Sequence, residues 1–259
     1  MMDEIVLYEK QAGHIAIVTL NRPEKRNAVS PELAAALEAA VKQSEADPEV
    51  RVVILTSSND KVFCAGADLA AVAEGRGALI STADGGFAGF VAARRTKPWI
   101  AAVRGAAVAG GCELCLACDM TVAASDCRFG LPEVKRGLMA AAGGLSRLPR
   151  AIPRHVALEM IATGDTIDAP RAYALGLINR MTSPGEVLTE ALALARQIAV
   201  NAPLAVQESV TLAREAAYMD EAEAGRATDA AMQRLRKTED FREGPRAFVE
   251  KRAPVWTGR

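Results

Sequence analysis

The chain has 259 residues, of which 50% are hydrophobic and 24% charged, and a chain of this kind can bury a sizeable core without disulfides or metal ions. The formal net charge of −1 and the aromatic content of 4% argue against nucleic acid or an anionic membrane as the main partner. The acidic start, Met1-Met2-Asp3-Glu4, is unlike a signal peptide, and no apolar run approaches the roughly 20 residues of a membrane span, so the sequence predicts a cytoplasmic protein.

The first predicted elements are a strand and a helix. Ile15–Leu20 is a short run rich in β-branched residues, and Asn21-Arg22-Pro23 closes it. Ser30-Pro31 then has the pattern of an N-cap followed by a first helical residue. Apolar residues follow at helical spacing, and Asp47-Pro48 ends the predicted helix.

Three further strands are predicted over residues 52–56, 99–103 and 120–123. Glycine-rich turns follow the first two of them. Strands that alternate with helices are typical of an α/β protein with mostly parallel pairing.

From about residue 184 the sequence becomes helical in character. Residues 186–200, 203–219 and 222–237 are rich in Ala, Glu, Arg and Leu, which favour helices. We therefore predict an α/β core with the active site over residues 1–190 and a helical C-terminal region over residues 191–259. Helices with apolar faces must bury them against the core or another subunit, so this region is predicted to serve oligomerisation.

The five cysteines include the spacing Cys112-x-x-Cys115-x-x-Cys118, which resembles an iron–sulfur motif. A cluster normally needs a fourth ligand and a loop that wraps it, but the intervening residues are good helix formers. Thiols packed along an apolar helix are the favoured interpretation. The odd number of cysteines and the lack of a secretory signal favour free thiols in a reducing compartment.

Several common catalytic and binding motifs find no support. The two histidines, His14 and His155, accompany no nucleophile motif, and a surface position or a satisfied side chain is the favoured interpretation of both. The glycine-rich run of residues 85–89 has no predicted strand before it, which argues against a dinucleotide fingerprint.

Two glycine turns and two glutamates remain as candidates. Residues 63–68 and 108–114 each lead from a strand into a helix, so each turn could offer one backbone N–H to an oxyanion. Taken alone, either is as well explained as an ordinary tight turn. Glu113 and Glu133 lie in apolar surroundings, where a glutamate is either a helix cap or a tuned acid/base.

These segments, in this order, resemble the signature of the enoyl-CoA hydratase/isomerase (crotonase) superfamily. The longest matches are residues 103–114 (VRGAAVAGGCEL), Cys118-Asp119 and residues 129–133 (FGLPE). Shorter matches extend the resemblance to essentially the whole chain: Asn21-Arg22-Pro23, Asn27-Ala28, Gly143-Gly144, Arg147-Leu148, Thr163-Gly164 and residues 174–177 (ALGL).

The resemblance implies a spiral of ββα units with a helical C-terminal region that assembles trimers, often paired into hexamers. It also implies that the backbone N–H groups of Ala67 and Gly110 hold the thioester oxygen, and that Glu113 and Glu133 hold the attacking water. Both glutamates are present, which favours a hydratase over an isomerase. The alternatives are a double-bond isomerase and a non-catalytic acyl-CoA-binding member of the fold. No metal or redox cofactor is expected, and coenzyme A enters as part of the substrate.

The residues expected to contact the substrate are assigned from the same resemblance and from their place beside the oxyanion turns. They are Lys25, Arg26, Ala28, Ala65, Gly66, Asp68, Leu69, Phe87, Phe90 and Lys251. Residues 85–90, 131–135 and the C-terminal segment resemble the carnitinyl-CoA dehydratase branch of the superfamily. That branch tends to have polar residues where this chain has residues 139–142 (MAAA), so we predict an apolar acyl pocket.

Overall fold

The structure is a computed structural model, and it describes residues 4–259. The acidic start that argued against a signal peptide therefore lies, up to residue 3, outside the described residues. Twelve strands were assigned within the described part of the chain: β1 Val6–Gln11, β2 Ile15–Leu20, β3 Val52–Ser57, β4 Val62–Cys64, β5 Ser81–Thr82, β6 Gly86–Phe87, β7 Trp99–Val103, β8 Ala106–Val108, β9 Met120–Ala124, β10 Arg128–Gly130, β11 Ile167–Asp168 and β12 Arg180–Thr182.

Ten α-helices were assigned within the same range: α1 Pro31–Ala46, α2 Leu69–Ala73, α3 Gly110–Ala117, α4 Gly144–Ala151, α5 Arg154–Thr163, α6 Ala169–Ala174, α7 Val187–Ala199, α8 Pro203–Ala216, α9 Glu221–Leu235 and α10 Glu239–Glu250. None of them is long and apolar enough to cross a membrane, as judged over residues 4–259.

The strands form two main sheets. The larger has the order β1-β2-β3-β7-β9-β12, in which only the β1–β2 hairpin is antiparallel. The smaller has the order β11-β10-β8-β4, and its last three strands run parallel. Successive pairs (β3 and β4, β7 and β8, β9 and β10) place one strand in each sheet before the chain turns into a helix or a 3₁₀ turn. This repeat is the predicted spiral of ββα units, and the α/β fold class is confirmed.

The core forms where the sequence is most continuously apolar. Every residue of β3 and of β7 is buried, as expected for central parallel strands covered on both faces. Helix α1 begins as predicted, because the Ser30 side chain accepts a hydrogen bond from the Leu33 N–H at 3.3 Å.

The helical C-terminal part is not separate from the core in its packing. Val187, Ala191, Ala195 and Ala199 of α7 belong to the same buried cluster as the strands of the large sheet. The predicted boundary after residue 190 therefore falls inside a helix that covers the sheet. Helices α8, α9 and α10 follow it and have few buried residues.

Helix α10 is absent from the sequence-based prediction because Gly244 and Pro245 interrupt its pattern. Its buried Glu243 accepts hydrogen bonds from Arg252 and from the Val255 N–H. The Trp256 indole N–H donates to the Val200 carbonyl at 2.9 Å. These contacts tie the chain terminus back to α10 and to the end of α7.

Two smaller predictions concern the cysteines and the glycine-rich run of residues 85–89. Cys112 and Cys115 lie buried on α3 and Cys118 caps that helix, which is the helical packing favoured above, and all five cysteines are free thiols. The expectation that no strand precedes residues 85–89 is wrong, because β5 comes just before them and pairs antiparallel with β6. Each strand of this hairpin has only two residues, which is too short for a periodic hydrophobic pattern to be recognised in the sequence.

Candidate active site

One large cavity, of about 1090 Å³, lies where the small sheet meets the N-terminal end of α3. Its lining includes Ala67, Gly110, Glu113 and Glu133. The structure thus brings all four predicted site residues to one cavity, although they come from three different ββα units.

The Ala67 N–H points away from the neighbouring segment that carries Val29, and Ala67 lines the cavity. Val29 forms a parallel bridge to Ala67, in which the Val29 N–H donates to the Gly66 carbonyl and the Asp68 N–H donates to the Val29 carbonyl. In a parallel bridge these bonds use the residues that flank the partner. The N–H of Ala67 is left without a backbone acceptor among residues 4–259.

The Gly110 N–H is the first donor of α3, and the first N–H groups of a helix have no partner within it. Ala109 before it has φ 52° and ψ −129°, an unusual backbone for a residue with a side chain. The Ala109 N–H donates to the Gly130 carbonyl at 2.9 Å, which fixes this turn against β10. The Gly110 N–H is consequently held at a defined position, and the helix dipole favours negative charge there.

The two turns touch because Gly66 has no side chain. A Cβ on Gly66 would lie 2.9 Å from the Gly110 nitrogen, and the φ of Gly66 is +89°, which favours glycine. A Cβ on Gly111 would lie 2.1 Å from the Cys64 carbonyl oxygen. Glycine at both positions lets α3 dock on the end of β4, so the turn that carries Ala67 lies against the N-terminus of α3 that carries Gly110.

Glu113 projects from the first turn of α3 into the interior, and its residue is 3% exposed. Its Oε1 accepts a hydrogen bond from the Gly144 N–H at 2.8 Å. Burial raises the pKa of Glu113 to about 7, and the charge of Glu133 adds to the rise, while the Gly144 N–H opposes it. A carboxyl in this state can gain or lose a proton near neutral pH.

Glu133 lies on the 3₁₀ turn Pro132–Arg136, which follows β10. Burial also raises the pKa of this carboxyl, and its buried Oε2 has no hydrogen-bond partner within the described chain. An oxygen of that kind is costly unless a water or a substrate group satisfies it. Glu113 and Glu133 are therefore two carboxyls with raised pKa values that line one cavity, and such an arrangement is suited to accepting a proton at one carboxyl and donating one from the other.

Phe90, which was predicted to contact the substrate, lies outside the cavity lining. It is fully buried and packs edge-on against Trp99, with ring centroids 5.0 Å apart. The buried Arg95 guanidinium lies 4.0 Å from the centroid of the Phe90 ring, so this aromatic face already holds a cation. Phe87, in contrast, lines the cavity, because the turn after β6 sends the two rings in different directions.

The other predicted substrate contacts divide into two groups. Arg26, Ala65 and Leu69 line the cavity. Asp68 instead caps α2 and pairs with Arg22 at 2.7 Å. Gly66 lies outside the cavity lining as well, and it serves to bring the two turns together. Three further predicted contacts also lie outside the lining in this single chain, namely Lys25, Ala28 and Lys251.

The expected acyl pocket is largely apolar. Ile80, Phe87 and Val91 line the cavity from the segment around the β5–β6 hairpin, and residues 139 and 141–143 line it from the segment before α4. The expected apolar character is thus found in both of these segments.

Neither histidine takes part in this cavity, since His14 contacts the Glu49 carbonyl and His155 is exposed on α5.

Sequence reasoning missed the residues that hold Glu113 in place. Gly144 supplies the N–H that binds its carboxylate, and Arg147 lines the cavity from the same helix. The pair Gly143-Gly144 and Arg147 were visible as motif residues, but nothing local to them indicates a contact with α3.

The comparisons with known proteins bear on the family and the overall fold. Residues 9–259 match the family model described as enoyl-CoA hydratase/isomerase. The carnitinyl-CoA dehydratase of Salmonella typhi is 40% identical over 258 residues, covering 98% of each chain. An enoyl-CoA hydratase from Mycobacterium tuberculosis H37Rv superposes with a TM-score of 0.94 at 42% identity, covering 99% of this chain and 100% of the other. A carnitinyl-CoA hydratase from Mycobacterium avium superposes with a TM-score of 0.78 at 43% identity, covering 100% of both chains.

Proposed function

The chain belongs to the enoyl-CoA hydratase/isomerase family, and we propose that it adds water across the 2,3 double bond of an enoyl-CoA thioester or removes it from the 3-hydroxyacyl-CoA. The observation that carries this reaction is the meeting of four groups in one cavity. Two residues whose backbone N–H groups have no backbone acceptor among residues 4–259, Ala67 and Gly110, line the same cavity as two carboxyls whose pKa values are raised.

The N–H groups of Ala67 and Gly110 bind the thioester oxygen in this mechanism. As the water oxygen bonds to C3, the electrons of the double bond move towards the carbonyl, and negative charge grows on the thioester oxygen. Donors already in place stabilise that charge without reorganisation, and each is worth roughly 3 kcal/mol of barrier.

Glu113 and Glu133 handle the protons. One carboxylate of the pair accepts a proton from the attacking water, and C2 of the resulting enolate takes up a proton from the same site. The sum is the addition of one water molecule, and dehydration follows the reverse path. The raised pKa values support this role, because burial favours the protonated form of both carboxyls and places the pKa of Glu113 at about 7.

The coenzyme A part of the substrate is proposed to extend from the thioester towards Arg26, a cation in the cavity lining. Lys25 is exposed on the same loop, and a cation near a phosphate forms a charge-assisted contact. Lys251 is exposed at the end of α10 and is proposed to reach the nucleotide of a neighbouring subunit. The five free thiols support the cytoplasm as the compartment.

The acyl group is proposed to be short or branched and apolar, because the walls around Phe87 and Met139 offer mainly hydrocarbon. We expect purified protein to hydrate short and branched 2-enoyl-CoA thioesters at least as fast as crotonobetainyl-CoA. The measurement is the loss of enoyl-thioester absorbance across a substrate panel, with product analysis.

The other outcomes of this panel identify a different substrate or a different function. A strong preference for crotonobetainyl-CoA contradicts the apolar-pocket argument. Conversion of 3-enoyl to 2-enoyl thioesters without hydration indicates an isomerase. Tight thioester binding without any turnover indicates a non-catalytic binding protein.

Assembly into a homotrimer, or a hexamer of two trimers, is proposed from the surface of the C-terminal region. Phe248 is 85% exposed and Val249 is 79% exposed on α10. Large exposed apolar side chains on one region mark an interaction surface. We expect multi-angle light scattering to give a mass that is a multiple of three chains, and a monomer at micromolar concentration contradicts the proposal.

A further inference from the structure

The Arg147 side chain joins two walls of the cavity. Arg147 is half-buried near the start of α4 and lines the cavity. Its Nη1 donates to the Ala142 carbonyl at 3.1 Å, and its Nη2 donates to the Val91 carbonyl at 2.7 Å. One guanidinium therefore links the segment before α4 to the segment that follows the β5–β6 hairpin.

Each of these segments holds a group of the proposed site. The first continues directly into Gly144, whose N–H binds the Glu113 carboxylate at 2.8 Å. The second follows directly on Phe87, the last residue of β6, whose carbonyl accepts a hydrogen bond from the Val91 N–H at 3.2 Å. The Phe87 ring packs so closely on Gly110 that a Cβ there would lie 2.4 Å from its Cζ. Movement of the segment before α4 would therefore shift the Glu113 carboxyl, and movement of the segment after the hairpin would shift the Gly110 N–H through the Phe87 ring.

Gly143 makes the room that the guanidinium occupies. Its φ is +104°, and a Cβ at this position would lie 1.9 Å from the Arg147 Nη1. A planar fork that donates in two directions is a property of arginine, which lysine lacks. The glycine and the arginine therefore form one unit.

Arg147 is also the cation that acts on Glu113. Glu133, on the turn after β10, also acts on this carboxyl, and the buried thiol of Cys112 precedes Glu113 on α3. The charge of Arg147 lowers the pKa of Glu113, against the larger rise caused by burial and the further rise caused by Glu133. Loss of the cation disfavours the ionised carboxylate and raises that pKa further.

We infer that Arg147 is a positioning residue for hydration, which holds the Glu113 carboxylate and the Phe87 wall in register through the Ala142 and Val91 carbonyls. This inference rests on the proposed function of Glu113. Misplacement of a reacting group by about 1 Å can cost on the order of 100-fold in rate, so the effect of losing this clamp is measurable.

The test compares Arg147→Met, Arg147→Lys and the control Arg154→Gln, whose side chain is exposed at the start of α5. We expect Arg147→Met to lower kcat by about 10- to 100-fold with a smaller change in KM. Its acidic pH limb should move to higher pH, because the required carboxylate ionises later. Arg147→Lys should keep the acidic limb near that of the wild type but recover only part of kcat.

Two results overturn the inference. One is wild-type kcat and pH profile in Arg147→Met. The other is a loss of activity with an unmoved pH profile that follows the loss of folded protein in thermal melts, which identifies a merely structural role. Gly143→Ala gives an independent check, since its Cβ displaces the guanidinium while the charge remains. It should lower kcat like Arg147→Lys, and wild-type activity there also counts against the clamp.

The same assays separate this inference from the proposed function. Glu113→Gln is measured in parallel. If that variant is fully active, the proposed mechanism itself fails. If Glu113→Gln is inactive and the Arg147 variants behave as wild type, only the positioning role fails.

Discussion

Glutamine at position 113 or at position 133 is expected to lower kcat for hydration by about 100- to 10,000-fold, the range for loss of a general acid or base. The amide introduced by Glu113→Gln cannot be ionised, yet its oxygen can still accept the Gly144 N–H that now binds Glu113 Oε1 at 2.8 Å. The measurement is steady-state hydration of the best thioester from the panel. Glu186→Gln, an exposed position before α7, is the matched control and should keep wild-type activity.

Stability measurements separate lost chemistry from lost folding. Burial raises the pKa of Glu113 from 4.5 to about 7, so ionisation of this carboxyl disfavours the folded state in full at pH values above about 7. The penalty shrinks as pH falls from about 7 to 4.5 and is absent below 4.5. Glu113→Gln removes this penalty and should melt no lower than the wild type at pH 8. Full hydration activity in both glutamine variants contradicts the mechanism.

The double variant asks whether the two carboxyls act as one unit. If they share one water and one set of proton transfers, Glu113→Gln and Glu133→Gln together should cost little more than the worse single change. If the rate losses of the two single variants multiply in the double variant, the two carboxyls have independent roles. The wild-type pH profile should be bell-shaped, because the pair must supply one ionised and one protonated group.

Local signals predicted part of the fold well. Strand β2 and the start of helix α1 were predicted correctly, because β-branched runs and a Ser-Pro cap act over a few residues. The three-residue strands β4, β8 and β10 were not predicted, because so short a segment contains no period. Their place is determined by the neighbouring sheet rather than by their own residues.

The sequence predicted which motif residues belong to the candidate site, but not how they contact one another. The motif residues include both glutamates and both oxyanion turns, and the structure gathers them in one cavity. Phe87 and Phe90 look equivalent in the sequence, but one lines the cavity and the other packs under Arg95. The Gly144 contact with Glu113 joins helices α3 and α4, and such a pairing of distant segments leaves no local pattern.

Alanine at position 110 is expected to lower kcat/KM by about 100- to 1,000-fold, the cost of one lost oxyanion donor, although the N–H itself remains. A Cβ there would lie 2.4 Å from Cζ and 2.6 Å from Cε1 of Phe87, and 3.1 Å from the Gly66 Cα. The new methyl group therefore pushes the start of α3 away from the turn that carries the other donor.

A second substitution tests that this steric contact is the cause. Leucine lacks the two ring atoms that the new methyl group meets, so Phe87→Leu combined with Gly110→Ala should recover part of the lost rate. Recovery should be incomplete, because the approach to Gly66 remains. Gly225→Ala is the matched control, since a Cβ at this α9 position meets nothing within 4 Å, and alanine there should keep activity while stabilising the helix by up to about 1 kcal/mol. Wild-type kcat/KM in Gly110→Ala, or a double variant no faster than Gly110→Ala, contradicts the view that the packing of Phe87 on Gly110 sets the position of this donor.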